Sequence, residues 1–331
     1  MDKRKVIIDT DPGIDDAVAL MTALSDPSLD ILGFTTVAGN KGLDMTTTNA
    51  VRVATYFDRR VKIYPGANND YMSLKEDKPA CENATGDIHG SNGMGGVDFP
   101  YDESLIQETH AVDFILDSIK ANPGEVDLIA LGPLTNIALA VEKDVETMKQ
   151  LRSITTMGGA AYGGNVGPVA EFNYWFDPFA VDIVYQALGE IVPITMVGLD
   201  VTGQSLLDMN DLEFMRLAGG ELGGMIREMF GAYILNAFKN EGTVGTVIHD
   251  LVAVVGYLHP DIFTEIHHAN LVIETKGEYT YGQTVIDFDG ATGRSKNVAV
   301  AMDIDLLTYK EYVMATLFGE EICDLYLDYL G

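Results

Sequence analysis

The feature of this sequence that most constrains its fold is a repeated alternation of short β-branched runs with segments whose apolar residues have helical spacing. Val6-Ile7-Ile8 is followed by a polar loop and then by a helical segment at residues 17–21. Further strands are predicted at residues 31–37, 126–131, 154–157 and 191–197, and helices at residues 46–57, 134–141 and 178–187. Strands interleaved with helices form right-handed crossovers, so we expect an α/β fold with a Rossmann-like, mostly parallel central sheet flanked by helices.

Two regions depart from this alternation. Residues 65–109 are rich in Gly, Asn and Asp, which predicts a long loop of functional or mobile character. Residues 210–260 instead have helical spacing, at 212–217 and 225–238, which predicts a helical cap beside the sheet. We expect the cap and the loops to lie at the carboxyl ends of the strands, where such sheets bind ligands. Since the chain shows no internal repeat or flexible linker, we expect one domain over residues 1–331.

Composition excludes several classes of protein. The formal net charge of −29, from 50 acidic and 21 basic residues, argues against a nucleic-acid partner, because tracking phosphates requires Lys and Arg. Cys81 and Cys323 lie far apart and form neither a metal-binding motif nor a disulfide framework. The first residues do not resemble a signal peptide, and the apolar stretches are too short to cross a membrane. We therefore expect a cytoplasmic protein with a small-molecule partner and no membrane partner.

The acidic run from Asp9 to Asp16 directly follows the first predicted strand. Carboxylates that converge without partners repel one another, and a divalent cation would remove that repulsion. Oxygen ligands without Cys or His favour calcium or magnesium over zinc. The simpler interpretation is that these acids cap a solvated helix, because the helix dipole favours negative charge at its amino end.

Two other acidic motifs were compared with this run. An EF-hand that begins at Asp9 requires Gly at its sixth position and Glu at its twelfth, where this chain has Ile14 and Leu20. An aspartyl-phosphate phosphohydrolase would use Asp9 as a covalent nucleophile, but the second Asp of that motif is normally followed by Gly-Thr or a similar dipeptide. Here Pro12-Gly13 follows Asp11, so this alternative is the weaker one.

The segment DTDPGIDDA, residues 9–17, resembles the amino-terminal signature of the inosine-uridine-preferring nucleoside hydrolases. Later segments agree with that family in the same order along the whole chain. They are VAGN at 37–40, LGPLTN at 131–136, MGG at 157–159, NVGPVAEFN at 165–173 and the His249-Asp250 pair. The resemblance implies a calcium-dependent N-glycosyl hydrolase that cleaves ribonucleosides, purine or pyrimidine, to ribose and a free base.

The resemblance also implies a role for individual residues. One calcium ion per subunit would be bound by Asp11, Asp16, Asp250 and the backbone carbonyl of Leu131, and Asp11 would act as general base toward the attacking water. The implied substrate contacts are Asp15, Asn40, Met157, Asn165, Glu171, Asn173 and Asp250. Carboxylate and amide groups suit such positions, because they stabilise an oxocarbenium-like transition state and bind a vicinal diol.

The proton for the leaving base is expected from a histidine, the usual donor near neutral pH. His249 is the first candidate because it matches the family position beside Asp250, and His89 in the long loop is the second. Tyr233 on the predicted cap is a further candidate for contact with the base. The family is usually dimeric or tetrameric, so we expect a homo-oligomer such as a homotetramer. A non-catalytic calcium-bound nucleoside-binding protein is the alternative from a different class.

Overall fold

The computed structural model describes residues 3–57, 59–82, 89–90 and 92–331. The strands are β1 (Arg4–Thr10), β2 (Leu29–Thr36), β3 (Ile63–Pro65), β4 (Val126–Ala130), β5 (Ser153–Met157), β6 (Ile194–Val197), β7 (Leu207–Asp208), β8 (Gly245–Thr246), β9 (Phe263–Ile273), β10 (Thr284–Asp287) and β11 (Val298–Ile304). The helices of the first half are α1 (Ile14–Ser25), α2 (Leu43–Tyr56), α3 (Tyr71–Lys75), α4 (Ala111–Ala121), α5 (Thr135–Met148), α6 (Phe172–Phe176) and α7 (Pro178–Leu188). Those of the second half are α8 (Leu199–Thr202), α9 (Met209–Ala218), α10 (Gly220–Met229), α11 (Gly231–Glu241), α12 (His249–Leu258), α13 (Leu306–Phe318) and α14 (Glu320–Leu330).

The central sheet has the strand order β10-β9-β11-β6-β5-β4-β1-β2-β3. Strands β3, β2, β1, β4, β5, β6 and β11 pair in parallel, and β9 and β10 add an antiparallel edge. The chain builds outward from β1 to β3 on one side and returns to β4 on the other. The order therefore reverses between β1 and β4, and ligands bind at the carboxyl ends of strands at such a switch point.

The core lies on both faces of this sheet, as expected for parallel strands covered by helices. Ile8 and Ile129 contribute to the cluster packed under α1, α12 and α13. Their neighbours Ile7 and Leu128 point to the opposite face, where α4, α5 and α7 cover them. This alternation follows from the two-residue period of a strand. The predicted α/β fold with a mostly parallel sheet is confirmed.

Three sequence-based expectations differ from the structure. The long loop predicted at 65–109 contains helix α3 and a 3₁₀ turn at Glu103–Leu105, and Met94 is fully buried in the core, so part of it is ordered by packing. Residues 83–88 and 91 of that loop lie outside the described residues. The single helix predicted over 225–238 is instead divided between α10 and α11, because Phe230 has ψ of −4° and interrupts the helical course. The helix α5 extends to Met148, beyond the predicted end at 141.

The region from α9 to α12 is helical, as predicted for the cap, and a short antiparallel pair of β7 with β8 ties its two ends together. Over the described ranges, every helix is too short or too polar to span a lipid bilayer.

Candidate active site

The acidic run occupies the loop after β1 and the first turn of α1. Asp16 is fully buried, and its Oδ1 accepts hydrogen bonds from Thr10 Oγ1 at 2.6 Å and from the Asp11 backbone N–H at 3.3 Å. Its Oδ2 accepts from the Gly13 backbone N–H at 3.0 Å and from Asn40 Nδ2 at 3.2 Å. Asp16 therefore holds the loop closed at the amino end of α1, where the helix dipole favours its charge.

Asp11 is the first residue of this loop, and its carboxylate is packed closely against two glycines. Its Oδ2 accepts a 2.6 Å hydrogen bond from the Asn40 backbone N–H, and its Oδ1 has no hydrogen-bonding partner among the described residues. A Cβ atom at Gly39 or Gly132 would collide with its carboxylate oxygens. The two glycines follow β2 and β4, so both neighbours of β1 leave room for this one side chain.

Two further acids, Asp15 and Asp250, lie close to Asp16. Carboxylate oxygens of Asp15, Asp16 and Asp250 lie within 4.8 Å of one another, and Asp250 reaches them from the first turn of α12. Burial, followed by repulsion from Asp16, raises the pKa of Asp11 and Asp250 well above the ordinary value. Burial and the charge of Asp15 raise the pKa of Asp16 in the same way. The four carboxyl groups thus repel one another when they are charged, and Asp11, Asp16 and Asp250 among them are buried.

The three acids whose oxygens lie closest together are not the same three that the family resemblance implies as metal ligands. That set contains Asp11 and assigns Asp15 to the sugar, whereas the close group of oxygens contains Asp15. Asp11 is still near enough to repel Asp250 electrostatically. The Leu131 carbonyl, at the carboxyl end of β4, accepts a 2.7 Å hydrogen bond from Asn173 Nδ2.

The wall opposite the acids is formed by the 165–173 segment and β5. Asn173 Nδ2 also donates to the Met157 carbonyl at 3.1 Å, and Asn165 Oδ1 accepts from the Phe172 backbone N–H at 2.9 Å. Glu171 caps α6 and is 2% exposed. Its carboxylate accepts from the backbone N–H groups of Gly159, Asn173 and Tyr174 at 2.8, 2.8 and 3.1 Å. Burial nevertheless raises its pKa to about 7.

The two candidate histidines lie in different surroundings. His249 is the first residue of α12, and its Nδ1 lies 2.8 Å from Thr202 Oγ1. His89 Nδ1 accepts a 3.2 Å hydrogen bond from the Ile14 backbone N–H, and it lies 3.9 Å from Asp15 Oδ1. His89 is therefore fixed on the amino end of α1. Tyr233 lies on α11 with its ring edge-on to Phe230, 5.9 Å between centroids.

A cleft of about 610 Å³ unites these elements at the carboxyl edge of the sheet. Of the residues predicted from the sequence it is lined by Asp15, Asn40, His89, Leu131, Met157, Asn165, Glu171, Asn173, Tyr233, His249 and Asp250. Asp11 and Asp16 lie buried beneath its floor, with both side chains inaccessible. The cleft is also lined by residues that sequence reasoning missed, namely Val166, Phe172, Gly203, Leu206, Thr243, Gly245, Thr246 and Val247.

Val166, Phe172, Leu206 and Val247 of this set are apolar, and Val166 and Phe172 lie inside the 165–173 segment that carries the family resemblance. Asp9, the remaining acid of the run, does not line the cleft. Its Oδ1 accepts from Thr35 Oγ1 at 2.5 Å and from Asn136 Nδ2 at 2.8 Å. It therefore ties β1 to β2 and α5, and it is not placed as the nucleophile of a phosphohydrolase.

Comparisons with known proteins identify the family of the chain and solved structures of similar fold. The family model described as inosine-uridine preferring nucleoside hydrolase matches residues 6–311. The pyrimidine-specific ribonucleoside hydrolase RihB of Shigella sonnei (strain Ss046) is 35% identical over 306 residues, 92% of this chain and 94% of that protein. The solved structure of a plant nucleoside hydrolase, the PpNRh1 enzyme, has a TM-score of 0.88 at 28% identity and covers 96% of this chain and 99% of its own. The solved structure of a purine-preferring ribonucleoside hydrolase from Gardnerella vaginalis has a TM-score of 0.87 at 30% identity, and it covers 97% of this chain and 100% of its own.

An acid-lined cleft at the switch point of this sheet, together with a match over nearly the whole chain, defines the class: the chain belongs to the inosine-uridine preferring nucleoside hydrolase family. It is an enzyme, an N-glycosyl hydrolase that cleaves ribonucleosides. The predicted activity is confirmed, and neither the phosphohydrolase nor the non-catalytic alternative is supported.

Proposed function

We propose that this enzyme holds one calcium ion in the acidic cluster and hydrolyses pyrimidine ribonucleosides in preference to purine ones. The single observation that carries the proposal is the cluster itself, in which carboxylate oxygens of Asp15, Asp16 and Asp250 converge beside a cleft of nucleoside size. The pyrimidine preference is supported by the identity of 35% to a relative whose name is pyrimidine-specific.

The residues present fit a hard divalent cation. Asp11 Oδ1 and Asp15 Oδ1 are buried atoms without a hydrogen-bonding partner among the described residues, so each has a lone pair free for a metal. The donor set consists of oxygens, from Asp11, Asp15, Asp16, Asp250 and the Leu131 carbonyl, which favours calcium over zinc. When bound, the cation supplies positive charge that offsets the carboxylates and lowers the pKa of a coordinated water.

Asp11 is the general base in this proposal. Its carboxylate receives a proton from the attacking water. The hydrogen bond from the Asn40 backbone occupies Oδ2 and fixes the rotamer.

The sugar is held by Asn40, Asn165, Glu171 and Asn173, and by Asp15 through the carboxylate oxygen that the cation would not occupy, with Met157 packed beside it. Amide and carboxylate groups bind the ribose hydroxyls and stabilise the positive charge that develops on the ring as the bond to the base breaks. The Asn173 side-chain amide donates hydrogen bonds to the Leu131 and Met157 carbonyls, and it therefore links the carboxyl ends of β4 and β5.

His249 is the acid in this proposal, and His89 is a contact for the base or the sugar. Nδ1 of His89 accepts a backbone hydrogen bond, so that nitrogen cannot carry a proton while the contact persists. A neutral His89 keeps one N–H, on Nε2, as a hydrogen-bond donor toward the cleft. Tyr233 completes the base side of the cleft.

The test is release of free base from a panel of uridine, cytidine, inosine and adenosine in calcium, followed by chromatography. We expect free base to be released from ribonucleosides, with kcat/KM highest for uridine or cytidine. A higher kcat/KM for inosine or adenosine would contradict the pyrimidine preference and leave the enzyme class intact. Binding of nucleosides without release of any base would contradict the activity.

Three further expectations stay predictions. They are the cytoplasmic location, the single domain over residues 1–331 and the homo-oligomeric state, dimer or tetramer.

A further inference from the structure

Thr202 is a buried hydroxyl residue that touches the site without lining it. It is the last residue of α8, a single turn that follows β6, and its side chain is fully buried. Gly203, its neighbour in sequence, does line the cleft. The side chain of Thr202 is therefore placed behind the wall of the cleft, where it can act on a substrate only through another residue.

The contact that Thr202 makes is with the ring of His249. Thr202 Oγ1 and His249 Nδ1 are 2.8 Å apart, although the two residues are 47 positions apart in the sequence. A hydroxyl can donate to a bare ring nitrogen or accept from a protonated one, so the contact persists in both protonation states of the ring. Because His249 Nδ1 is hydrogen-bonded to Thr202, His249 Nε2 is the nitrogen that would donate a proton to a base in the cleft.

The backbone around Thr202 is held firmly in place. Its carbonyl accepts hydrogen bonds from the Ser205 backbone N–H at 3.0 Å and from Ser205 Oγ at 2.7 Å. At the other end of α8, Leu199 N–H donates to the Gly159 carbonyl at 3.0 Å. The Asp200 carboxylate accepts from the Ala161 backbone N–H at 2.6 Å. The hydroxyl is thus presented from a fixed turn that is attached to the loop after β5.

We propose that Thr202 is a positioning residue that orients the His249 ring, so that its Nε2 faces the leaving base. The inference rests on the proposed acid role of His249. As the C1′–N bond breaks, its electron pair leaves with the base, and the base takes the Nε2 proton of the imidazolium. The neutral ring keeps its proton on Nδ1, and this N–H donates a hydrogen bond to Thr202 Oγ1. The attacking water forms the new bond to C1′ and gives its proton to Asp11.

The experiment compares Thr202→Val, which removes the hydroxyl at nearly constant shape, with Thr202→Ser, which retains it. Each variant is assayed on uridine, whose base needs a proton to leave, and on p-nitrophenyl riboside, whose leaving group does not. Because a general acid contributes about 100-fold or more, we expect Thr202→Val to lose about 10-fold or more in kcat on uridine. The loss on p-nitrophenyl riboside should stay below about 3-fold, and Thr202→Ser should recover most of the uridine rate.

Thr22→Val is the matched control, since it makes the same change at a buried threonine whose hydroxyl donates to the Val18 carbonyl within α1. A merely structural role of Thr202 would slow both substrates equally in Thr202→Val, or would give the same substrate contrast in Thr22→Val. Either result would overturn the inference, as would an unchanged uridine rate in Thr202→Val. If Thr202→Val does not fold, Thr202→Ala is assayed for the same contrast.

His249→Ala separates this inference from the proposal on which it rests. Selective slowing of uridine in His249→Ala, without such selectivity in Thr202→Val, would overturn the role of Thr202 alone. Equal slowing of both substrates in His249→Ala would remove the acid role of His249, and the inference with it.

Discussion

Replacing Glu171 with Gln should remove a pH dependence of stability that this buried carboxyl group creates. Glu171 is 2% exposed, and its two oxygens accept three backbone hydrogen bonds. Burial disfavours the charged form more than these bonds favour it, and the charge of Asp15 adds to the effect. The pKa is therefore raised from 4.5 to about 7 in the folded enzyme.

The sign and size of the effect follow from proton linkage. Between pH 4.5 and about 7 the folded protein keeps the Glu171 proton, whereas the unfolded chain releases it. The folded state then binds more protons, so the free energy of unfolding falls as pH rises through this window and is flat on either side. The shift corresponds to about 3 kcal/mol of stability lost by pH 7 relative to pH 4.5.

The assay is urea unfolding of metal-free wild type and Glu171→Gln at several pH values, followed by the fluorescence of Trp175, the single tryptophan of the chain. The Gln side chain does not titrate, so the free-energy difference between the proteins should move by about 3 kcal/mol in favour of the variant as pH rises from 4.5 to 7.5. Glu190→Gln, at an exposed position, is the control for loss of a carboxylate. A difference that stays constant with pH for Glu171→Gln would refute the reasoning.

Three further predictions concern activity. Asp11→Ala should lower kcat by about 100-fold or more if Asp11 is the general base, and rates near those of the wild type in a ribose-release assay would remove it from the mechanism. 2′-Deoxyuridine should be cleaved with a kcat/KM about 100-fold or more below that of uridine, because the polar groups facing the missing hydroxyl would stay unpaired; similar values would refute the proposed ribose contacts. Gly39→Ala should impair activity because the added methyl group meets the Asp11 carboxylate, whereas Gly224→Ala, with open space around it, should not; equal rates for the two would contradict the close packing at Asp11.

The sheet and the location of the site could be predicted from the sequence, because both follow from local patterns. The β-branched run before Asp9 predicts β1, and polar residues directly after strands predict a site at their carboxyl ends. Asn40 and Leu131 lie there because β2 and β4 flank β1. Asn173 could be assigned only through the resemblance, since its segment reaches the site through its hydrogen bond to Leu131.

The remaining features depend on contacts between distant parts of the chain. The antiparallel edge formed by β9 and β10 was not predicted, because residues 264–268 of β9 are exposed and have no alternating pattern. Thr202 meets His249 only because α8 packs beside α12, and nothing in the local sequence of either residue indicates it. The close grouping of Asp15 with Asp16 and Asp250 likewise depends on side-chain orientation, which the spacing of the acids does not determine.

The central claim is that the acidic cluster holds a calcium ion on which hydrolysis depends. The most direct measurement is base release from uridine by the enzyme before chelation, after verified removal of metal, and after calcium is added back. We expect activity to be lost with the metal and to return with calcium, because the cation then again offsets the charge of the buried carboxylates. Full activity in verified metal-free enzyme would contradict it.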